Sequence, residues 1–320
     1  MCSFMNHCRA IWLGLWILLS GSAMAQICVL QPQEFRQVRP SLWVRPAQPQ
    51  DRTGWTEPTV VWVGRDRLWV ADPGPHLCSG RALRAWLLAT FPGKVHALLN
   101  THAHPENVLA NSAWPVGTPI WASAETGLQM RRRCPDCLQG MRQRWGEELL
   151  RGTRIVIPNR RLAQAQTLQL GDAPWVVQLV TQVHTESDLQ LRSLHEPLAM
   201  VGGLVSWTQV PELARSDVGR WQDHLEAMLR SPPRELLGSA GLEDSIRKIE
   251  NTRNYIQTQR QAVRRAVEQG RQIHELSSSA DGPGIVQDAW TAADQERHQR
   301  NLQRLWRIEE ERWLMDQPER

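Results

Sequence analysis

The hydrophobic positions of the chain follow two different periods. "TVVWVG" and "LWVADPG" are rich in β-branched and aromatic residues and are joined by the polar turn "RDR", which predicts a β-hairpin. In "SGRALRAWLLATF" the apolar residues return at helical spacing instead. The segment predicts a helix capped by Ser79 and stopped by Pro92 and Gly93. "KVHALLNT" then reads as a short buried strand ending at His102, with a short helix starting in "ENVLANSAW". "TPIWAS" predicts a further strand. Residues 124 to 151 read as mostly helical, with the "CPDC" segment interrupting the helix.

A strand-rich half follows, in "RIVIP", "QTLQLG", "WVVQLVTQV", "SDLQLRS" and "LAMVGGLV". A helix around "GRWQDHLEAML" and a strand in "RELLGSA" close it. From about Gly241 the pattern turns helical. Ile246, Ile249, Ile256, Val263 and Val267 form one apolar face of a long amphipathic segment. "SSSADGPG" reads as a flexible linker. The last helix, "QERHQRNLQRLWRIEEERWLM", carries Leu302, Leu305, Trp306 and Trp313 on an apolar stripe. Strand pairs in two halves with interspersed helices predict an α+β or mixed α/β fold, sheets inside and helices outside. No repeat of solenoid period appears.

Composition adds a compartment. The apolar run "AIWLGLWILL" follows Arg9 and ends in the small-residue segment "SAMA", which predicts a signal peptide over residues 1–25, cleaved after Ala25. The run is shorter than the roughly 20 residues a membrane-spanning helix needs, and no later segment is long and apolar enough. The expected product is periplasmic or secreted and is not an integral membrane protein. Cleavage removes Arg9 and no acid, which takes the formal net charge from +4 to +3. That charge is too small and too dispersed to argue for a nucleic-acid partner.

Export leaves Cys28, Cys78, Cys134 and Cys137, an even count in an oxidising compartment. Cys134 and Cys137 are read as a local structural disulfide; a redox pair or half of a metal site are the alternatives. The pairing of Cys28 and Cys78 is left open.

The candidate chemistry sits in "LLNTHAHPENVLAN". His102 and His104 stand one residue apart on the loop that leaves a predicted buried strand, a spacing at which two imidazoles can converge on one ion. A catalytic zinc takes three protein ligands and leaves one position open. His184 in "VHTESDL", again just beyond a predicted strand, is the candidate third ligand. The chain has ten histidines, so spacing alone leaves a structural role open. His76, His96, His195, His224, His274 and His298 have no converging partner in the sequence and read as surface or structural residues.

The order "VADPGP", "LLNTHAHPENVLAN", "VHTESDL" and "MVGGLV" resembles the metallo-β-lactamase fold superfamily. Together with "CPDC" and "RHQRNLQRLW", it is most similar to the zinc metallohydrolases of quinoprotein relay systems. The likeness runs over about residues 40 to 315. It implies a four-layered αββα sandwich over residues 26–242, with the helices of residues 243–320 packed on it or linked to it.

The resemblance also implies a site. His102, His104 and His184 match the three histidines of the first metal position. Glu106 stands where relatives have an aspartate, Asn107 where they have a histidine, Gly203 where they have a bridging acid, and Ala240 where they have a final histidine. The implied form is mononuclear, with one zinc, Glu106 as the catalytic carboxylate, and Asp72, Asn107 and Asp188 supporting the site. The implied function is a periplasmic zinc hydrolase of an unidentified small molecule, associated with a quinoprotein (PQQ-dependent) dehydrogenase system. The alternative is a catalytically inactive accessory that keeps the fold and binds a partner.

Overall fold

The computed structural model describes residues 34–48, 54–207, 210–238, 241–277 and 290–317. The expected signal peptide, Cys28, Ala240 and most of the Ser/Gly-rich linker lie outside the described residues. Two sheets face each other. The first runs β1 (Arg36–Arg39), β2 (Leu42–Arg45), β3 (Thr59–Val63), β4 (Arg67–Ala71), β5 (Val95–Leu99), β6 (Ile120–Ser123) and β7 (Arg160–Leu162), in chain order. It is antiparallel up to β4 and parallel from β4 to β7. A parallel neighbour requires a crossover, and α1 (Leu77–Thr90), α2 (Pro105–Val108) and α3 (Ala124–Trp145) supply one each.

The second sheet contains β8 (Gln166–Leu170), β9 (Ala173–Thr181), β10 (Ser187–Ser193), β11 (Leu198–Met200), β12 (Glu235–Gly238) and β13 (Gly241–Asp244). Its order is β13-β12-β11-β10-β9-β8, with β11 and β12 parallel and the other pairs antiparallel. Helices α4 (Val218–Arg230), α5 (Ser245–Glu268), α6 (Ile273–Ser277) and α7 (Ala292–Met315) complete the described α-helices, and short 3-10 turns occur at Leu109–Ala113 and Gly202–Leu204.

The strand period of two sorts side chains between layers. On β3 and β4, Val60, Trp62, Trp69 and Ala71 enter the core between the sheets, while Val61, Leu68 and Val70 enter the core beneath α1. On β11 and β12, Met200 and Leu237 face the opposing sheet, while Ala199 and Leu236 face the helices. That outer core also receives Trp221 and Leu225 of α4, Ile249, Ile256 and Val263 of α5, and Leu302 and Leu305 of α7. The layers are therefore helix, sheet, sheet, helix, as expected. Each apolar face is covered, so truncating one fully buried core residue, such as Leu99→Ala, should cost about 2–5 kcal/mol.

Several local expectations need correction. "RIVIP" is extended but unpaired, and the strand begins later, at Arg160. Strands β1, β2 and β13, of four residues each, are too short to show an alternating pattern. Helix α1 is capped by His76, whose Nδ1 accepts from Ser79 N at 3.0 Å, so the cap lies three residues before the expected one. The CPDC segment does not break its helix: α3 runs through Pro135 to Trp145.

That continuity decides the cysteines. Cys134 and Cys137 are free thiols, contrary to the expected bridge. Residues three apart on a helix hold their Cβ atoms about 5–6 Å apart, and a disulfide needs about 3.5–4.5 Å. Cys134 is buried against the Ala103 carbonyl, and burial pushes its thiol up to about 12. It behaves as a packing residue. Of the apolar positions read on α5, Ile249, Ile256, Val263 and Val267 are buried, but Ile246 in its first turn is exposed. On α7, Trp313 is partly exposed beyond the packed stripe. Among the described residues, no helix is long and apolar enough to cross a membrane.

Candidate metal centre

The site lies at one end of the sandwich, where a loop from each sheet meets. His102 is three residues beyond Leu99 of β5, and His184 is three residues beyond Thr181 of β9. The first loop is tied to β10 of the opposing sheet by the amide of Leu189, which donates to the Thr101 carbonyl at 2.9 Å. Gln182, just before the second loop, has a φ of 53°, an uncommon left-handed conformation for a residue other than glycine.

The three expected histidines converge. His102, His104 and His184 have ring centroids 4.7, 5.0 and 4.8 Å apart, and one nitrogen of each lies within 4.8 Å of the others. Tetrahedral zinc at about 2.0–2.1 Å from each nitrogen sets neighbouring nitrogens roughly 3.3 Å apart. Small side-chain rotations close that difference.

The neighbouring groups choose the tautomers. Thr101 donates its hydroxyl proton to Asp72 Oδ2 at 2.6 Å, so its oxygen is left to accept from His102 Nδ1 at 2.8 Å. A proton on Nδ1 makes Nε2 the ligating atom, whose lone pair an ion would take over from Asn107 Nδ2 at 3.2 Å. His184 repeats the arrangement: its Nδ1 lies 2.9 Å from Asp188 Oδ1, whose other oxygen accepts from the Thr185 amide at 2.8 Å. Asp72 also accepts from the Thr101 amide at 2.9 Å and adopts a φ of 52°. Asp72 and Asp188 thus stand behind the histidines, each orienting one ring.

Electrostatics suit a metal. Burial first, and then the neighbouring histidines, hold His102 well below the usual imidazole range. Burial also lowers His104, against the opposing pull of Glu106. His184 is lowered by burial, but the Asp188 charge and hydrogen bond outweigh this and raise it. Neutral imidazoles are the form that binds metal, and an ion at this point would displace the proton held on the third. The donor set therefore fits a divalent ion such as zinc.

The positions facing the histidines look different. Glu106, in the first turn of α2, lines the mouth of the pocket with Oε1 3.9 Å from His104 Nδ1, outside hydrogen-bonding distance. Asn107 is buried, with its Nδ2 3.2 Å from His102 Nε2. A Cβ added at Gly203 would fall 2.2 Å from His184 Cε1, so no acid fits there while His184 keeps its place.

Two lining residues carried no signal in the sequence, and a third lay in a motif with no role assigned to it. Glu57 precedes β3 in a short loop, Glu212 follows a proline, and Arg297 belongs to α7. Burial, reinforced by the Glu106 charge, pushes the Glu57 carboxyl up to about 7. Trp207, Trp221, Val210 and Pro211 add apolar walls around a cavity of about 50 Å³. Arg297 donates to the Val210 carbonyl at 3.0 Å, and Asn301 of the same helix donates to the Pro211 carbonyl at 2.8 Å and accepts from the Leu213 amide at 3.1 Å. One wall of the pocket is therefore held by α7. The start of "RHQRNLQRLW" thus has a tertiary role, which its sequence does not reveal.

No protein-family model matches the chain, and no curated protein does. Solved structures do. A metallo-β-lactamase from Pontibacter korlensis is 13% identical with a TM-score of 0.55, the match covering 70% of this chain and 98% of that one. The DIM-1 metallo-β-lactamase is also 13% identical, with a TM-score of 0.53 over 70% and 96%. The stereoselective inverting sec-alkylsulfatase Pisa1 from Pseudomonas sp. is 12% identical with a TM-score of 0.62, over 86% of this chain and 50% of that enzyme. At such identities the likeness establishes the fold, which is that of the metallo-β-lactamases.

Proposed function

We propose that the protein is a mononuclear zinc hydrolase, exported to the periplasm and working beside a quinoprotein dehydrogenase system on a small-molecule substrate. The convergence of His102, His104 and His184 carries the hydrolase reading. The motifs "CPDC" and "RHQRNLQRLW" and the apolar leader support the association and the compartment. At the histidine centre a single ion is favoured because Gly203 leaves no space for a bridging acid and Asn107 stands in for a histidine.

When bound, zinc supplies a +2 charge that polarises an ester-like oxygen and acidifies water. The chain supplies the remainder. Asp188 and the Asp72–Thr101 pair hold two rings in their ligating tautomers before substrate arrives. Glu106, at the mouth, takes the proton on a carboxylate oxygen. Compared with aspartate its extra methylene displaces that oxygen by about one carbon–carbon bond, roughly 1.5 Å. A misplacement of that order can cost about 100-fold in rate, so slow turnover is expected. The tryptophan walls exclude water and strengthen each charge interaction inside. The cavity admits the reacting group of a substrate rather than its whole body.

The test measures metal and turnover together. Purified protein should hold one zinc per chain, and His102→Ala and His184→Ala should lose it. The zinc form should hydrolyse at least one member of a panel of chromogenic esters, thioesters, lactones, β-lactams, phosphoesters and sulfate esters. Substoichiometric zinc that is indifferent to both substitutions would overturn the metal centre. Stoichiometric zinc without turnover on any member would favour the inactive accessory.

A further inference from the structure

Behind the histidine centre lies a second, smaller cavity of about 10 Å³, enough for one water or one bare ion. Three of its lining residues bring oxygen donors: the carboxylates of Glu57 and Asp72 and the amide oxygen of Asn107. Its other walls include Pro58, Met200 and Leu237, which offer no charge. Asn107 is only 2% exposed, and its Oδ1 is buried with no hydrogen-bond partner. The other end of the amide, Nδ2, lies 3.2 and 3.4 Å from the ring nitrogens of His102. A buried carbonyl oxygen without a donor costs about 1–3 kcal/mol, which something in the cavity must offset.

We propose that Glu57, Asp72 and Asn107 form a second cation site, for a hard divalent ion such as Mn²⁺ or Mg²⁺. The donor set is all oxygen, which suits hard cations; the three imidazoles next door suit zinc. Two carboxylates match a +2 charge. Asp72 already accepts both Thr101 hydrogen bonds, yet burial and the Glu57 charge still push its carboxyl up to about 7. Of the positions facing the histidines only Asn107 reaches this cavity: Glu106 opens on the outer pocket, and Gly203 has no side chain to offer. An ion here would keep Asp72 ionised, and so hold Thr101 and the His102 ring in place. The proposal stands whether or not the histidine centre hydrolyses anything.

The experiment saturates the full mature protein with zinc, which outcompetes Mn²⁺ at imidazoles, removes the excess, and titrates with MnCl₂ while free Mn²⁺ is read by electron paramagnetic resonance. One Mn²⁺ per chain is expected. Glu57→Gln, nearly isosteric, should weaken it at least 10-fold with an unchanged melting temperature of the manganese-free protein. Asn107→Asp, which adds charge at the orphan oxygen, should tighten it about 10-fold. His184→Ala, depleted of zinc, should keep its Mn²⁺. No stoichiometric Mn²⁺, wild-type affinity in Glu57→Gln, no gain in Asn107→Asp, or loss of Mn²⁺ in His184→Ala would each overturn the proposal.

Discussion

The histidine half of the pocket and the half that faces it are held differently. His102 and His184 stand on loops leaving β5 and β9, and each has its distal nitrogen fixed by a buried acceptor, Thr101 or Asp188. Facing them, Glu106 rests on a four-residue helix without a hydrogen bond to His104, and Gly203 presents only backbone. His102 and His184 are held where the sandwich itself braces them. Glu106 and Gly203 stand where it braces least.

The sharpest way to break this contrast is to remove a ligand. Loss of a supporting residue typically costs 10–100-fold in metal affinity, so a ligand must cost more. His184→Ala should therefore lower zinc affinity by more than about 100-fold in competition with a chromophoric chelator. An effect below tenfold would mean that the histidines meet without binding.

Gly203→Ala tests the same half from its neighbour. The new methyl would meet His184 Cε1 at 2.2 Å and Nδ1 at 2.4 Å, so the ring must turn and its bond to Asp188 must break. A stability loss of about 1–3 kcal/mol by urea unfolding and roughly 10–100-fold weaker zinc binding are expected. Gly140→Ala is the control. It lies within α3 with nothing within 4 Å of its added Cβ, and should stabilise by about 0.5–1 kcal/mol. Milder again is Asp188→Asn, which keeps the shape but loses the charge. It should weaken zinc by about tenfold and leave the fold intact.

How much of this was legible in the sequence follows from how local each signal is. The alternation in "TVVWVG" and the period of "SGRALRAWLLATF" mark their elements because one face of each is buried. The histidines showed as a spacing plus two strand ends. "RIVIP" has strand composition but no neighbour to pair with, since Asn159 N bonds to Ile120 O only just before β7 begins. Glu57 was invisible because a lone acid in a loop carries no period. Its place beside Asn107 depends on a chain reversal some 50 residues away. Arg297 and Asn301 lie within "RHQRNLQRLW", but their partners, Val210, Pro211 and Leu213, are 87 to 90 residues earlier.

That distant wall supports a further pair of predictions. Asn301 is fully buried, and Asn301→Ala would strand the Leu213 amide and the Pro211 carbonyl. A loss of about 2–4 kcal/mol is expected, with zinc affinity nearly unchanged because the histidines lie on the other side.

His298 gives the smallest effect and has a definite sign. Asn301 donates to the Tyr255 hydroxyl at 3.1 Å, so Tyr255 in turn donates to His298 Nδ1 at 2.8 Å, and the ring is held neutral. Burial lowers His298 to about 4, against 6.5 for the free side chain. Between these values the unfolded chain binds a proton that the folded chain refuses, so stability falls with falling pH. The contribution is complete above about 6.5 and is lost progressively towards 4. The melting temperature should thus drop more steeply between pH 6.5 and 4.5 in the wild type than in His298→Gln. Parallel curves would mean that the α5–α7 contact opens enough to let the ring protonate, and that this wall of the pocket is loose rather than fixed.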